Sequence, residues 1–463
     1  MLFNSFIFLF AFLPITYAVF WALRSAGPRY VWLTITGYIF YGWWDWRFCF
    51  LMAFSTAVAY TAGLGFLRLG PNDPRRRWCL WVPIGIDLSL LGFFKYANFA
   101  AESAAGLIHL TGVDVAIPHL DVILPIGISF YTFHTISYIV DSYRGVVKPT
   151  RNFFEFAAYV SLFSQLVAGP IVRFRQLEED LEALGTADRT RGIPDGIRLF
   201  VLGLMEKLVL ADTLGAIADP LLAQHQQLAS SGAWAGMLAY TFQLYFDFSG
   251  YSSMAMGLGL LFGLRIPQNF NSPYKATDPS DFWRRWHISL STCIRDYIYI
   301  PLGGSRGTPA RTNVNLLAAM AIGGLWHGAA WTFVLWGVYH GVLLVVHRLF
   351  AAAWDPLPVV FRRGVMFLAA VIGWTLFRAT SMEMALDLLH RLAVPTAGIG
   401  VDAPLRVVGV IGVAAGWAML GPNPVEWRPR WTFATQLLFA ALFGLALALI
   451  AGGRASPFLY FQF

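Results

Sequence analysis

Of the nine histidines in the chain, two stand where an ionisable side chain needs a reason. His327 lies inside the run Asn313 to His347, which contains no Asp, Glu, Lys or Arg. It is flanked by Trp326 and Trp331 and bracketed by Gly323, Gly324 and Gly328. In apolar surroundings of membrane length such a histidine is a functional candidate by default. Glycines beside it let a second backbone or a substrate come close, or break the helix to line a cavity. Imidazole titrates at about pH 6.5, so it accepts a proton at neutral pH without needing a large shift. A neutral imidazole can deprotonate a hydroxyl that attacks a thioester or ester carbonyl, and a second histidine can orient the reactants or stabilise the oxyanion. His287, in DPSDFWRRWHISLSTCIRDYIYIPLGG from Asp278, is the candidate for that second role. The competing reading for each is a histidine satisfied by a structural hydrogen bond, and the sequence does not establish that the two meet.

Other ionisable groups read as structural. Glu206 and Lys207 are adjacent in GLMEKLVLAD, and neighbours on a helix do not face one another, so they are expected to pair with different helices. Asp247, among Tyr245, Ser249 and Tyr251, suits a helix-to-helix hydrogen bond as well as orienting a histidine or lining a polar funnel. His340 is ambiguous. His347 abuts Arg348 and reaches the interface as a topology residue. Three scattered cysteines, Cys49, Cys79 and Cys293, make neither a disulfide framework nor a metal cluster, and no metal is expected. There is no G-x-S-x-G, H-E-x-x-H or Walker loop, so a hydrolytic serine, a zincin site and an ATP motor lack their signatures.

The elements that must position these residues are membrane helices. Apolar residues make up 57% of the chain and charged ones 13%, far from the roughly 25% charge of soluble proteins. Runs long enough to span occur near 3–23, 30–46, 48–67, 78–97 and 122–140, then near 197–217, 233–264, 364–380, 404–421 and 433–451. The run 313–347 allows a hairpin or a broken helix. The first 23 residues lack a basic n-region and a cleavage site and read as a retained span. Arg24 with Arg29, Arg75 to Arg77, and Arg144 with Lys148 and Arg151 mark cytoplasmic loops, and the acidic loop from His109 to Asp121 marks the other side, which puts the N-terminus outside. Residues 152–172, interrupted by Gln165, Gly169 and Pro170, suit a re-entrant segment followed by a polar surface stretch, 176–191.

The stretch from Asp278 reads as one amphipathic interfacial helix, capped by Asp278 with Pro279 at its first position. Trp283, His287, Leu290 and Ile294 share its buried face, and Pro301, Gly303 and Gly304 stop it. The expected fold is all-α, a polytopic membrane protein of ten to twelve transmembrane helices with re-entrant and interfacial helices, in a single membrane domain over 1–463. No internal repeat of the transporter kind is present. The net charge of +7 suits anionic headgroups and loop topology, not nucleic acid.

Five stretches together carry a specific pattern: PIGISFYTFHTISYIVDSYRG from Pro125, SQLVAGPIVRF from Ser164, YFDFSGYSSMAMG from Tyr245, DPSDFWRRWHISLSTCIRDYIYIPLGG from Asp278 and GLWHGAAWTFVLWGVYHG from Gly324. In these the chain resembles the bacterial membrane-bound O-acyltransferases, most closely the alginate O-acetyltransferase branch. The resemblance weakens after about residue 350. It implies helices enclosing a central funnel, with the W-H-G histidine falling on His327 and the W-R-R-W-H histidine on His287. Trp326, Asp247, Tyr251 and Arg295 are then candidates for lining the substrate tunnel. Cys293 departs from the bulkier residue expected there.

The implied activity is transfer of an acetyl or other acyl group from a cytoplasmic donor, acetyl-CoA or another acyl thioester, with no permanently bound cofactor. The acceptor is a hydroxyl of an exopolysaccharide such as alginate, reached directly or through a periplasmic SGNH-type acetyltransferase partner, at the bacterial inner membrane. The alternatives are a transporter or polysaccharide-export channel with a histidine-lined pathway, and a scaffold that anchors a periplasmic enzyme.

Overall fold

Cap residues and prolines set where the helices begin. The Asn152 side chain accepts from the amides of Phe154 and Glu155, Asp278 from Asp281, Thr308 from Arg311, Ser381 from Met384 and Thr432 from Thr435. Pro279 and Pro309 each follow such a cap at the first helical turn, where the missing N–H costs nothing. A computed structural model describes residues 1–113, 119–167, 169–185, 190–453 and 456–459. Asp114 of the acidic loop, Ala168 of the expected re-entrant segment and residues 186–189 of the polar stretch lie outside the described residues. Among the described residues the chain is all-helical. Its extended pairing there is one isolated bridge, Leu228 with Ile399.

The chain forms two compact units, Met1–Gly196 with Leu258–Pro267, and Ile197–Gly257 with Gln268–Phe463. In the first, α1 (Leu13–Ala22), α2 (Ala26–Asp45), α3 (Arg47–Arg68), α4 (Arg76–Leu91), α5 (Ala97–His109), α6 (Ile128–Tyr143), α7 (Phe153–Val160) and α8 (Phe174–Glu182) surround aromatic side chains such as Phe12, Phe40 and Phe163. Only α7 of residues 152–172 is helical among those described, in keeping with a segment that does not cross as one span. A Cβ at Gly37 of α2 would meet the Ser161 carbonyl just after α7 at 1.9 Å, so glycine is what lets the two approach. The buried Asp87 carboxylate accepts from Ser55 and Thr135, each at 2.7 Å, which satisfies a polar group between α3, α4 and α6.

The remaining helices run in order α9 (Ile193–Met205), α10 (Asp212–Ala223), α11 (Ser230–Leu261), α12 (Pro279–Arg285), α13 (Ile288–Ile294), α14 (Pro309–His327), α15 (Trp331–Trp354), α16 (Val359–Arg378), α17 (Met382–Ala393), α18 (Pro404–Leu420) and α19 (Phe433–Ala451). The core of the second unit is aromatic, with Trp336 and Trp374 stacked at 5.7 Å and Trp286 against Trp374 at 4.6 Å. Its outer surface is apolar too: Leu405 of α18 and Phe433 of α19 are 89% and 76% exposed, the pattern of a lipid-facing surface. Among the described residues, Arg47–Arg68, Arg76–His109, Trp331–Trp354, Val359–Arg378 and Phe433–Ala451 are long and apolar enough to cross a membrane. Phe8–Ala22 and Pro404–Leu420 are shorter apolar helices.

The run 313–347 is the anticipated hairpin, α14 returning as α15. The stretch from Asp278, in contrast, is two short helices and not one. His287 takes left-handed angles, φ 43° and ψ 54°, which no α-helix can carry through, and the Ile288 amide donates to the Asn269 carbonyl in place of an intrahelical acceptor. Of the face expected to be buried, His287, Leu290 and Ile294 are buried, while Trp283 is half-buried.

Candidate active site

His327 is the last residue of α14, and extended Gly328 ends that helix and turns the chain toward α15. Two glycines lock the hairpin: a Cβ at Gly324 would meet the Phe333 carbonyl at 2.2 Å, and one at Gly337 the Met320 carbonyl at 2.2 Å. With no room for even a Cβ at either position, the backbones of α14 and α15 pack directly on one another at the end of α14. The His327 ring is 95% buried, edge-on to Trp336 at 5.1 Å and to Phe377 at 5.2 Å, with Trp326 at 5.0 Å.

His287, in the break between α12 and α13, brings the second imidazole to the same place. The His287 and His327 ring centroids are 6.2 Å apart, and Trp326 packs on both, 6.0 Å from His287. Phe248 of α11 stands edge-on to His287 at 4.7 Å. The His287 Nδ1 lies 3.2 Å from the Asn269 side-chain oxygen. That oxygen also accepts from the Ser289 amide at 3.1 Å and the Ser289 hydroxyl at 2.8 Å. The other ring nitrogen, Nε2, is buried with no hydrogen-bond partner among the described residues. Two imidazoles in an aromatic enclosure, one with an uncommitted ring nitrogen, can move a proton to and from a reacting group that enters between them.

The tunnel candidates divide. Trp326 belongs to the histidine pair. Asp247 does not contact it: its carboxylate pairs with the Lys207 ammonium at 2.7 Å and accepts the Leu459 amide at 2.9 Å, with both side chains almost fully buried. Tyr251, one turn on from Asp247, packs edge-on against Phe458 at 4.4 Å. Phe248 and Ser252 lie one residue further along each turn of α11 and face the histidine side, while Asp247 and Tyr251 face the ion pair. Arg295 is 59% exposed and bonds its neighbour Asp296. His340 is fully buried among rings, with Trp336 at 5.0 Å and Trp283 at 5.2 Å, and His347 lies 3.6 Å from Asp355.

Glu206 and Lys207 do not part to different helices. Glu206 accepts from Ser249 and Lys207 pairs with Asp247, both on α11, because those partners lie on different sides of one helix. Lys207 also reaches Asp212 at 2.7 Å and Ser456 at 2.9 Å. A separate groove of about 820 Å³, lined by residues of α10, α18 and α19, includes neither histidine in its lining. No three His, Cys, Asp or Glu side chains come together as a metal site among the described residues. Asn269 was not singled out by sequence reasoning. The signal that would have found it is a pair of asparagines, Asn269 and Asn271, in the short connector before Asp278.

An all-helical membrane protein that buries a histidine pair at a glycine-locked hairpin is the class this geometry defines. The chain belongs to the membrane-bound O-acyltransferase family and is an acyltransferase, since residues 120–382 match the model of the MBOAT, membrane-bound O-acyltransferase family. It is 45% identical over 394 residues to the probable alginate O-acetylase AlgI of Azotobacter vinelandii, covering 83% of this chain and 76% of that protein. It is 36% identical over 424 residues to the peptidoglycan O-acetyltransferase of Helicobacter pylori, covering 84% and 79%. A teichoic acid D-alanyltransferase of Streptococcus thermophilus is 31% identical over 235 residues, 48% of this chain and 56% of that one.

Proposed function

We propose that this enzyme moves an acetyl group from a cytoplasmic acyl thioester, acetyl-CoA being the simplest, to a hydroxyl of an exopolysaccharide such as alginate. The transfer is made directly or by way of a periplasmic SGNH-type acetyltransferase. His327 is the general base, and His287 beside it orients the reacting groups. The attacking hydroxyl gives its proton to imidazole as its oxygen bonds to the carbonyl carbon; the carbon–sulfur bond then breaks, and the departing thiolate takes the proton back. Ten to twelve spans around a central funnel, in the bacterial inner membrane, would carry the group from one side to the other.

The observation that carries this reading is the 6.2 Å separation of two imidazoles that lie 40 residues apart in the chain. The alginate O-acetylase and peptidoglycan O-acetyltransferase among its relatives support an acetyl group and a polysaccharide acceptor. The test is to express His327→Ala in cells that make the polymer, confirm membrane insertion, and measure bound acetate. Loss of acetylation with normal insertion is expected, and acetylation at the unmutated level would sink the proposal. Turnover of an acyl thioester by the purified protein separates this reading from a transporter or export channel, which would show none.

A further inference from the structure

We infer that Asn269 is a positioning residue that fixes His287 in the tautomer carrying its proton on Nδ1, so that Nε2 is left to the site as a hydrogen-bond acceptor. The inference rests on the proposed base chemistry of the histidine pair and assigns a role within it. It begins with a backbone amide. The Ser289 N–H can only donate, and it donates to the Asn269 side-chain oxygen at 3.1 Å. That contact settles which end of the Asn269 amide faces it, because the NH₂ group turned the same way would set donor against donor. The NH₂ group has its own acceptor on the other side, the Ser252 hydroxyl of α11 at 3.3 Å.

With oxygen facing the ring, His287 Nδ1 at 3.2 Å must carry a hydrogen, since a bare nitrogen there would set lone pair against lone pair. A neutral imidazole with its proton on Nδ1 has a lone pair at Nε2 and no N–H to offer. Nε2 is buried, has no partner among the described residues, and belongs to the ring that lies 6.2 Å from His327. Of the two roles open to His287, orienting a reacting group therefore comes first, with Nε2 accepting a hydrogen bond from its O–H. It can stabilise an oxyanion only after it has taken up a proton.

The backbone is built around the same residue. Asn269 acts through its main chain as well as its side chain: its backbone carbonyl accepts the Ile288 amide at 2.9 Å, directly after the left-handed His287. A non-glycine residue in that conformation is held at a cost, and such strain persists where surrounding contacts over-determine it. Asn269 contacts the residue on either side of the peptide that carries His287 into α13, so it sets both the tautomer and the direction of the ring.

The experiment compares Asn269→Asp and Asn269→Ala in the purified full-length protein, by the pH dependence of kcat and KM for acyl-thioester turnover, with His287→Ala alongside. Asn269→Asp keeps an acceptor for Nδ1–H and adds a negative charge that favours the protonated ring. It is expected to retain kcat within about tenfold and to move the acid limb of the profile to higher pH. Asn269→Ala is expected to lose about 10- to 100-fold in kcat with KM little changed. Equal losses in both variants with an unmoved profile would overturn the inference in favour of a purely structural role. Full turnover in His287→Ala would instead overturn the orienting role of His287 on which it rests.

Discussion

The rings of His287 and His327 stand 6.2 Å apart, centroid to centroid, at an interplanar angle of 62°, with Trp326 packed on both. One arrives from a left-handed break between two short helices and the other from the end of a glycine-locked hairpin, so neither helix alone makes the site. Groups that act on one proton behave as a unit. His287→Ala and His327→Ala should each lower kcat by about 100-fold or more, and the double variant should be no worse than the more damaged single one. Effects that multiply in the double variant would mean that the two imidazoles serve separate steps.

The hairpin predicts a second outcome. Gly324→Ala and Gly337→Ala would each press a methyl group into a carbonyl 2.2 Å away, and both should destabilise the protein by about 1–3 kcal/mol while displacing His327. Gly364, in α16, has open space where its Cβ would be, so Gly364→Ala should be neutral or gain up to about 1 kcal/mol from helix propensity. Thermal midpoints of the three variants decide it. Equal midpoints would show that the hairpin tolerates separation.

Much of this is legible in the amino-acid sequence. The uncharged run around His327 and its glycines allows a hairpin or a broken helix, of which the hairpin forms, and the Asp278 cap with Pro279 places the start of α12. What was not legible depended on partners distant in sequence. Periodicity alone continued one helix through His287, because the Asn269 contacts that bend the backbone there come from 18 residues earlier. Likewise the surroundings of Asp247 suggested a funnel as readily as a helix contact. Its actual partner is Lys207 on the preceding helical segment, and a charge pair of that kind leaves no periodic mark in either segment.

That ion pair makes its own prediction. The Lys207 and Asp247 side chains are 1% and 3% exposed, and removing Asp247 leaves the buried ammonium with Asp212 as its one remaining carboxylate among the described residues. Asp247→Ala should cost about 1–3 kcal/mol of stability, because Asp212 still compensates Lys207 while the Leu459 amide loses its acceptor. Asp247→Asn should cost less, because its side-chain oxygen still accepts the Leu459 amide. Thermal unfolding in detergent or lipid nanodiscs ranks the two. A loss of turnover in a variant whose midpoint is unchanged would instead return Asp247 to the substrate path.

The last prediction concerns pH and a helix too short to span the membrane. In α17, burial works against the charged Asp387 carboxylate, but hydrogen bonds from His225 and Arg391, together with their charge, outweigh it and hold its pKa below the ordinary carboxylate value. A carboxyl whose pKa is lower in the folded state binds its proton more weakly there than in the unfolded chain. Its contribution is therefore complete above the unfolded value of about 3.9 and is lost as pH falls through the lower folded value. The midpoint difference between the unmutated protein and Asp387→Asn should accordingly be constant near pH 5 and shrink as the pH is taken below about 4. A difference that instead grew on acidification would mean that the folded state favours the protonated acid, and that His225 and Arg391 do not hold the carboxylate.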